Sequence, residues 1–378
     1  MSAMQAAMQT RRNVTFHKRL KQAPKRFMWE PQSIGQILLA IAFALTCTAA
    51  SAQNAYIANS GDNTVSVINT ATNLVTATVK VGINPYGVAV SPDGSKVYVG
   101  NQGDDNVSVI DTVTNTVKTT VEVSGYPTGV SVSPDGSKVY VANFTGDNVS
   151  VINTATNSVI ATVGVGTSPL AVTVSPDGSK VYVANYSDNN VSVIDTARNS
   201  VIATVGVGTN PEGISVSPDG LKVYVANETS ADVSVIDTAK NMVTATVQVE
   251  SQPYGLSVSP DGLKVYVANF GSGNVSVINT ADNTVTTTVT VGSQPAGLSI
   301  SPDGSKAYVT NYNGNSLTVI NTSTDSVDTT VTGFAGPNGI AFQPLLTDIP
   351  TLSQWAMIGL GLLLAGLALI QVHRVRGT

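Results

Sequence analysis

Between residues 53 and 345 the chain alternates short apolar, β-branched runs with polar turns on a fixed period. A tyrosine recurs every 42 residues, at Tyr56, Tyr98, Tyr140, Tyr182, Tyr224, Tyr266 and Tyr308, and an asparagine follows each by three positions. Within one unit, Gly87 to Val90 is an apolar run and Ser91-Pro92-Asp93-Gly94 is a turn. In that turn proline presets the second position and glycine takes positive φ. Lys96 to Val99 is the next run, Gln102 to Asn106 a polar loop, Val107 to Ile110 a third run, and Asp111 to Asn115 a second turn. Thr116 to Val123, dense in Val and Thr, completes the unit. The spacing and composition predict four short strands per unit.

A period of about 40–45 residues with four strands matches a propeller blade. The rival is an open solenoid, which ends in distinct caps. This chain begins at the second strand of a unit, Ala55 to Ala58, and the missing first strand reappears as Pro337 to Phe342, its proline six periods after Pro85. Each strand type therefore occurs seven times. The reading is an all-β, seven-bladed propeller over 53–345, closed by its C-terminal strand pairing into the first blade. Closure removes two open sheet edges.

The ends differ in kind. Residues 1–52 carry seven basic residues from Arg11 to Arg26, an apolar stretch from Ile34 to Cys47, and a small-residue cleavage site with Ala50 and Ala52. This pattern predicts a secretory signal helix. The only cysteine, Cys47, falls inside it. In 346–378, Ile349, Pro350, Thr351, Leu352 and Trp355 precede an apolar stretch from Ala356 to Ile370, then His373, Arg374 and Arg376. That predicts a transmembrane helix at the short limit of length, with the arginines cytoplasmic and the propeller outside.

The Tyr308-Val309-Thr310-Asn311 copy, the Tyr-Val-Ala-Asn copies and the six Ser-Pro-Asp-Gly turns resemble the YVTN-type propeller repeats of bacterial and archaeal surface proteins. The tail resembles the IPTL-type C-terminal sorting domain, read by exosortase-like enzymes of Gram-negative bacteria, although Ala356 stands where that family has glycine. These resemblances imply export, an inner-membrane stage with the propeller in the periplasm, cleavage near the motif, and delivery to the cell surface or extracellular matrix.

Charge separates the parts: the propeller holds ten basic and 22 acidic residues. That argues against nucleic acid, whose phosphates need a basic face. Both histidines, His17 and His373, lie outside it. No Ser-His-Asp or Cys-His set can form there, nor a histidine-held haem, copper or zinc site. No cofactor or metal is expected, and the chain reads as a non-enzyme.

Function is expected where the copies differ. Up-and-down topology places the invariant turns on one rim and two variable positions on the other. That variable rim carries Tyr86, Tyr126, Phe144, Tyr186, Tyr254, Phe270 and Tyr312 among polar neighbours. Aromatic rings with polar handles suit a surface glycan or a protein ligand. Glu212 and Glu228 fall on one blade of the same rim, with Asp188 on the preceding one. Such carboxylates can hold calcium or act as an acid/base pair; two solvated glutamates are the ordinary outcome. The main reading is a non-enzymatic binding or structural module. The alternatives are a hydrolase or lactonase-like enzyme using the acidic rim, and a structural surface-layer or adhesion subunit.

Overall fold

A computed structural model describes residues 53–345. The signal helix with Ala50 and Ala52, and the tail helix with the motif from Ile349 to Trp355, lie outside the described residues. Twenty-eight strands, numbered in chain order, form seven four-stranded antiparallel sheets. The first sheet joins β28 (Pro337–Phe342), β1 (Asn54–Asn59), β2 (Thr64–Asn69) and β3 (Leu74–Lys80) in that order. The C-terminal strand thus completes the first blade, with Ile57 opposite Ile340 and Tyr56 opposite Ala341. Blades two to seven take consecutive strands, beginning with β4 (Pro85–Val90).

The apolar residues of each sheet pack against the next sheet. Tyr56, Val65 and Val67 of the first blade meet Val88, Val97 and Val99 of the second. All seven repeated tyrosines are buried, so the period read from them is that of the inter-blade core. Each fully buried Val or Ile contributes about 1.5–3 kcal/mol. At the seam, Tyr308, Leu317 and Val319 meet Ala55, Ile57, Ile68 and Ile340. The repeated asparagine serves its own blade: Asn101 Nδ2 donates to Asn106 Oδ1 and to Ser108 Oγ, both at 2.8 Å. This satisfies a buried amide donor that is costly to leave unpaired.

The two turn types share one rim, as the alternation predicts. Asn69 Oδ1 accepts from the backbone of Ala71 and Thr72, the side-chain-opened turn expected of Asn or Asp. The Ser133 hydroxyl first, then the Ser137 backbone N–H, hold Asp135 at about 2, below the ordinary 3.8. The equivalent serines do the same for Asp177. A depressed carboxylate stabilises the fold above its unfolded value and loses that contribution as pH falls through its folded value. Thermal midpoints are therefore expected to hold above 3.8 and to drop between 3.8 and about 2, which melts followed by circular dichroism will read. A midpoint flat across that interval would show these turns to carry no linked stability.

One strand type begins earlier than the alternation indicates. The first strand of the second blade starts at Pro85, not Gly87, and its register shifts between Pro85 and Val88. The bulge recurs in other blades. In these blades it frees two residues from the ladder at the variable rim, and in blade four one; bulges re-aim side chains.

Candidate functional site

The bulges build the centre of the variable rim. In six blades the residue after the loop proline faces one central pocket. Tyr86, Leu170, Glu212, Tyr254, Ala296 and Asn338 line an axial pocket of about 130 Å³. Thr128, at the same repeat position, instead turns inward and donates to the carbonyls of Ala142 and Pro169. The next position is glycine in six blades, because the first strands crowd together here. A Cβ on Gly87 would lie 2.1 Å from the Thr128 carbonyl oxygen, and one on Gly213 2.2 Å from that of Tyr254. The pocket floor is therefore backbone.

The Tyr86 and Tyr254 hydroxyls hydrogen-bond to each other, linking blades two and six. Burial first, then neighbouring charge, pushes both phenols well above their ordinary range, so they stay protonated donors. Beside them, burial pushes the Glu212 carboxyl up to about 8, and the charge of Glu228 adds to the shift. At neutral pH Glu212 is mainly the neutral acid.

Glu228 follows the second strand of the same blade. The Tyr186 hydroxyl donates to one of its oxygens at 2.8 Å, and Gln252 Nε2 to the other at 3.2 Å. Its backbone N–H donates to Asn210 O at 2.9 Å, and the Asn210 amide donates to Tyr186 O at 3.2 Å. Gln252 has φ +54 and Tyr126, its counterpart, φ +50. The same left-handed backbone recurs at Asn84, Ser168, Asn210 and Gln294, so it belongs to the loop the blades share. Burial, then the bond to Glu228, lifts Tyr186 to about 12.

The expected aromatic set divides. Tyr86 and Tyr254 reach the pocket and Tyr186 holds Glu228. Phe270 stacks on Tyr254 with ring centroids 5.5 Å apart, and Phe144 tilts against Tyr126 at 6.0 Å. Tyr126 and Tyr312 are among the exposed rings. Asp188 does not join the glutamates: its carboxylate accepts the Thr167 backbone N–H at 2.8 Å, a loop role that Asp104 repeats with Ile83. Among the described residues no three His, Cys, Asp or Glu side chains are placed to hold a metal. Sequence reasoning missed the Tyr86–Tyr254 link and Gln252 as the partner of Glu228. It also missed the glycine ring, although a Pro-x-Gly spacing repeats at Pro85, Pro127, Pro211, Pro253, Pro295 and Pro337.

Comparison with known proteins agrees with this architecture. No curated protein matches the chain. Among solved structures, hydrazine synthase of Kuenenia stuttgartiensis is similar, with a TM-score of 0.63 and 25% identity over 68% of this chain and 88% of that one. A functionally unknown protein from Desulfotomaculum acetoxidans DSM 771 gives 0.69 and 20% over 77% of this chain and 99% of that one. The dihydro-heme d1 dehydrogenase NirN gives 0.57 and 16% over 76% and 74%; these last two show the fold alone. The IPTL-CTERM motif matches residues 349–374, marking an exported, cell-surface-directed chain recognised by an exosortase-like sorting enzyme. A seven-bladed beta-propeller lactonase family matches residues 112–205. That match, with the likeness to hydrazine synthase, corrects the expectation of a non-enzyme. The missing histidines and cysteine were given too much weight, since two carboxyls in different environments suffice for acid–base chemistry. The YNCE-like beta-propeller family matches residues 32–142, 167–270 and 262–354, and the chain belongs to that family.

Proposed function

We propose that this chain is an exported propeller hydrolase acting on an uncharged lactone or ester at the variable rim. Glu212 serves as the acid and Glu228 as the base that activates water. The observation that carries the reading is the pair itself. One carboxyl is held protonated to about 8 by burial, and its neighbour on the same blade accepts hydrogen bonds through both oxygens. An acid works best with its pKa near the operating pH. Opening a lactone needs a proton on the leaving oxygen, within reach of Glu212, and a water aimed at the carbonyl. Tyr254 stacked on Phe270 offers a flat apolar wall for the ring of such a substrate. The lactonase match supports the reaction class, although it stops short of Glu212.

The electrostatics select the substrate. Besides Glu212 the variable rim holds nine carboxylates, among them Asp62, Asp104, Asp147, Glu122, Glu228 and Glu250, against one base, Lys80. Such a field repels phosphorylated or carboxylated substrates. In this reading residues 356–370 hold the chain in the inner membrane until an exosortase-like enzyme releases the propeller to the surface.

The test is hydrolysis of a panel of neutral lactones and carboxyl esters, with the Glu212→Gln/Glu228→Gln double variant as blank. Turnover by the native chain is expected to fall as pH rises through about 8. Equal rates in chain and blank would overturn the reading. A second reading, a non-catalytic binder of glycan or protein, is favoured by the Tyr126–Phe144 and Tyr254–Phe270 pairs. It predicts oligosaccharide or peptide binding that survives in the double variant.

A further inference from the structure

The two rims of the propeller differ in a way the rim chemistry above does not use. Among the described residues, seven large apolar side chains are more than half exposed. Six of them, Leu74, Val113, Leu221, Met242, Leu263 and Leu345, belong to the Ser-Pro-Asp-Gly rim or to the chain leaving it. The seventh, Ile83, is on the variable rim. Val113 is 89% exposed and Leu263 62%. Leu221 and Leu263 replace the serine that follows the turn glycine in the other copies, Ser95 for example. Single exposed apolar residues are ordinary on any surface; the concentration of the most exposed ones on one of two faces is not.

Charge follows the same division. The Ser-Pro-Asp-Gly rim holds nine of the propeller's ten basic residues against twelve carboxylates. The charges on this rim nearly balance, and some are paired directly, as Asp325 is with Lys264 at 2.7 Å. The opposite rim, setting aside the neutral Glu212, is nine to one acidic. An anionic lipid surface repels the second face much more strongly than the first.

The path of the chain points the same way. β1 begins and β28 ends at the Ser-Pro-Asp-Gly rim. The Gln343 backbone N–H donates to Asn54 O at 2.8 Å, and its side-chain amide to Gly94 O, in the turn itself, at 3.1 Å. The sorting motif begins at residue 349. The five residues between Gln343 and residue 349 give a tether of at most about 20 Å from this rim.

We propose that the Ser-Pro-Asp-Gly rim is the membrane-facing surface of the propeller, its exposed leucines and valine resting on the lipid surface. The variable rim is turned away, open to substrate. The proposal rests on the reading of residues 356–370 as the membrane segment. The sorting enzyme then approaches the motif from the membrane side, and the candidate site works in the same orientation before and after release.

Single cysteines test this in the full chain carrying Cys47→Ser, reconstituted in vesicles of phosphatidylethanolamine and phosphatidylglycerol. Val113→Cys and Leu263→Cys report the proposed membrane face; Asn313→Cys, in an exposed loop of the variable rim, reports the other. All three are expected to react with small N-ethylmaleimide. A large poly(ethylene glycol)-maleimide is expected to label Asn313→Cys freely and the other two severalfold more slowly. If the large reagent labels all three in proportion to the small one, while the chain resists carbonate extraction, the orientation is wrong and the membrane segment stands. If carbonate releases the chain, both fall.

Discussion

Replacing Glu212 by glutamine is expected to lower turnover of a neutral lactone by roughly 10²- to 10⁴-fold, the usual contribution of a positioned acid. The amide keeps the size of the side chain and cannot give up a proton. Substrate binding should change little, because the aromatic wall is untouched, so the loss should appear in kcat. A second readout separates chemistry from packing. The carboxyl is driven from its ordinary 4.5 to about 8, with burial the larger cause and Glu228 the smaller. Between those values the folded chain binds a proton that the unfolded chain releases, so folding weakens as pH rises through the interval, and the full penalty stands above about 8. Glutamine carries no such penalty. The variant's urea midpoint is therefore expected to exceed that of the native chain above about 8 and to match it below 4.5. Less activity with more stability at alkaline pH is the signature of a site kept at the expense of the fold. Equal loss of stability at every pH would make Glu212 a packing residue.

The second large effect lies at the seam. Ile340 is buried in the cluster where the last strand meets the first blade and stands opposite Ile57. Ile340→Asp removes its apolar contribution and places a carboxylate among Ala55, Ile57 and Tyr308. The combined cost is about 4 kcal/mol, a large share of the roughly 5–15 kcal/mol that holds a typical domain. Ile214→Asp is the matched control, since both isoleucines are 9% exposed and sit in first strands. Blade five is continuous in the chain; blade one is completed by β28, from the far end of the described residues. The seam variant is therefore expected to unfold at lower urea than the control, and to expose β28 to protease while the other blades persist. Equal midpoints and equal proteolysis would mean that closure contributes nothing special.

The ring was legible because its determinants are local and repeated. Tyr56 through Tyr308 mark the inter-blade core, Ser91 to Gly94 and its copies mark one rim, and the six periods from Pro85 to Pro337 mark closure. The site was legible only as a neighbourhood. Glu212 and Glu228 share a blade, which topology alone reveals. That Tyr86 meets Tyr254 depends on how strongly the bulged strands converge at the axis. The crowding that forces glycine at 87, 213 and 255 sets that convergence, and no pattern of apolar and polar positions encodes it. The role of Asp188 was not legible because a carboxylate beside a site and one closing a loop look the same in sequence. Its equivalents, Asp104, Ser230 and Ser272, accept the same loop N–H in their own blades.

Because β1 and β28 are neighbouring antiparallel strands whose outer ends lie at one rim, a pull on either end of the propeller enters the same seam. Force between residue 345 and residue 53 loads the β28–β1 hydrogen bonds one after another, like a zipper drawn from its open end, and not all together in shear. The blade that closes the ring is thus its mechanically weakest part. A propeller dragged by its tail through flowing medium would fail first there, shedding one strand while the sheets far from the seam stay folded.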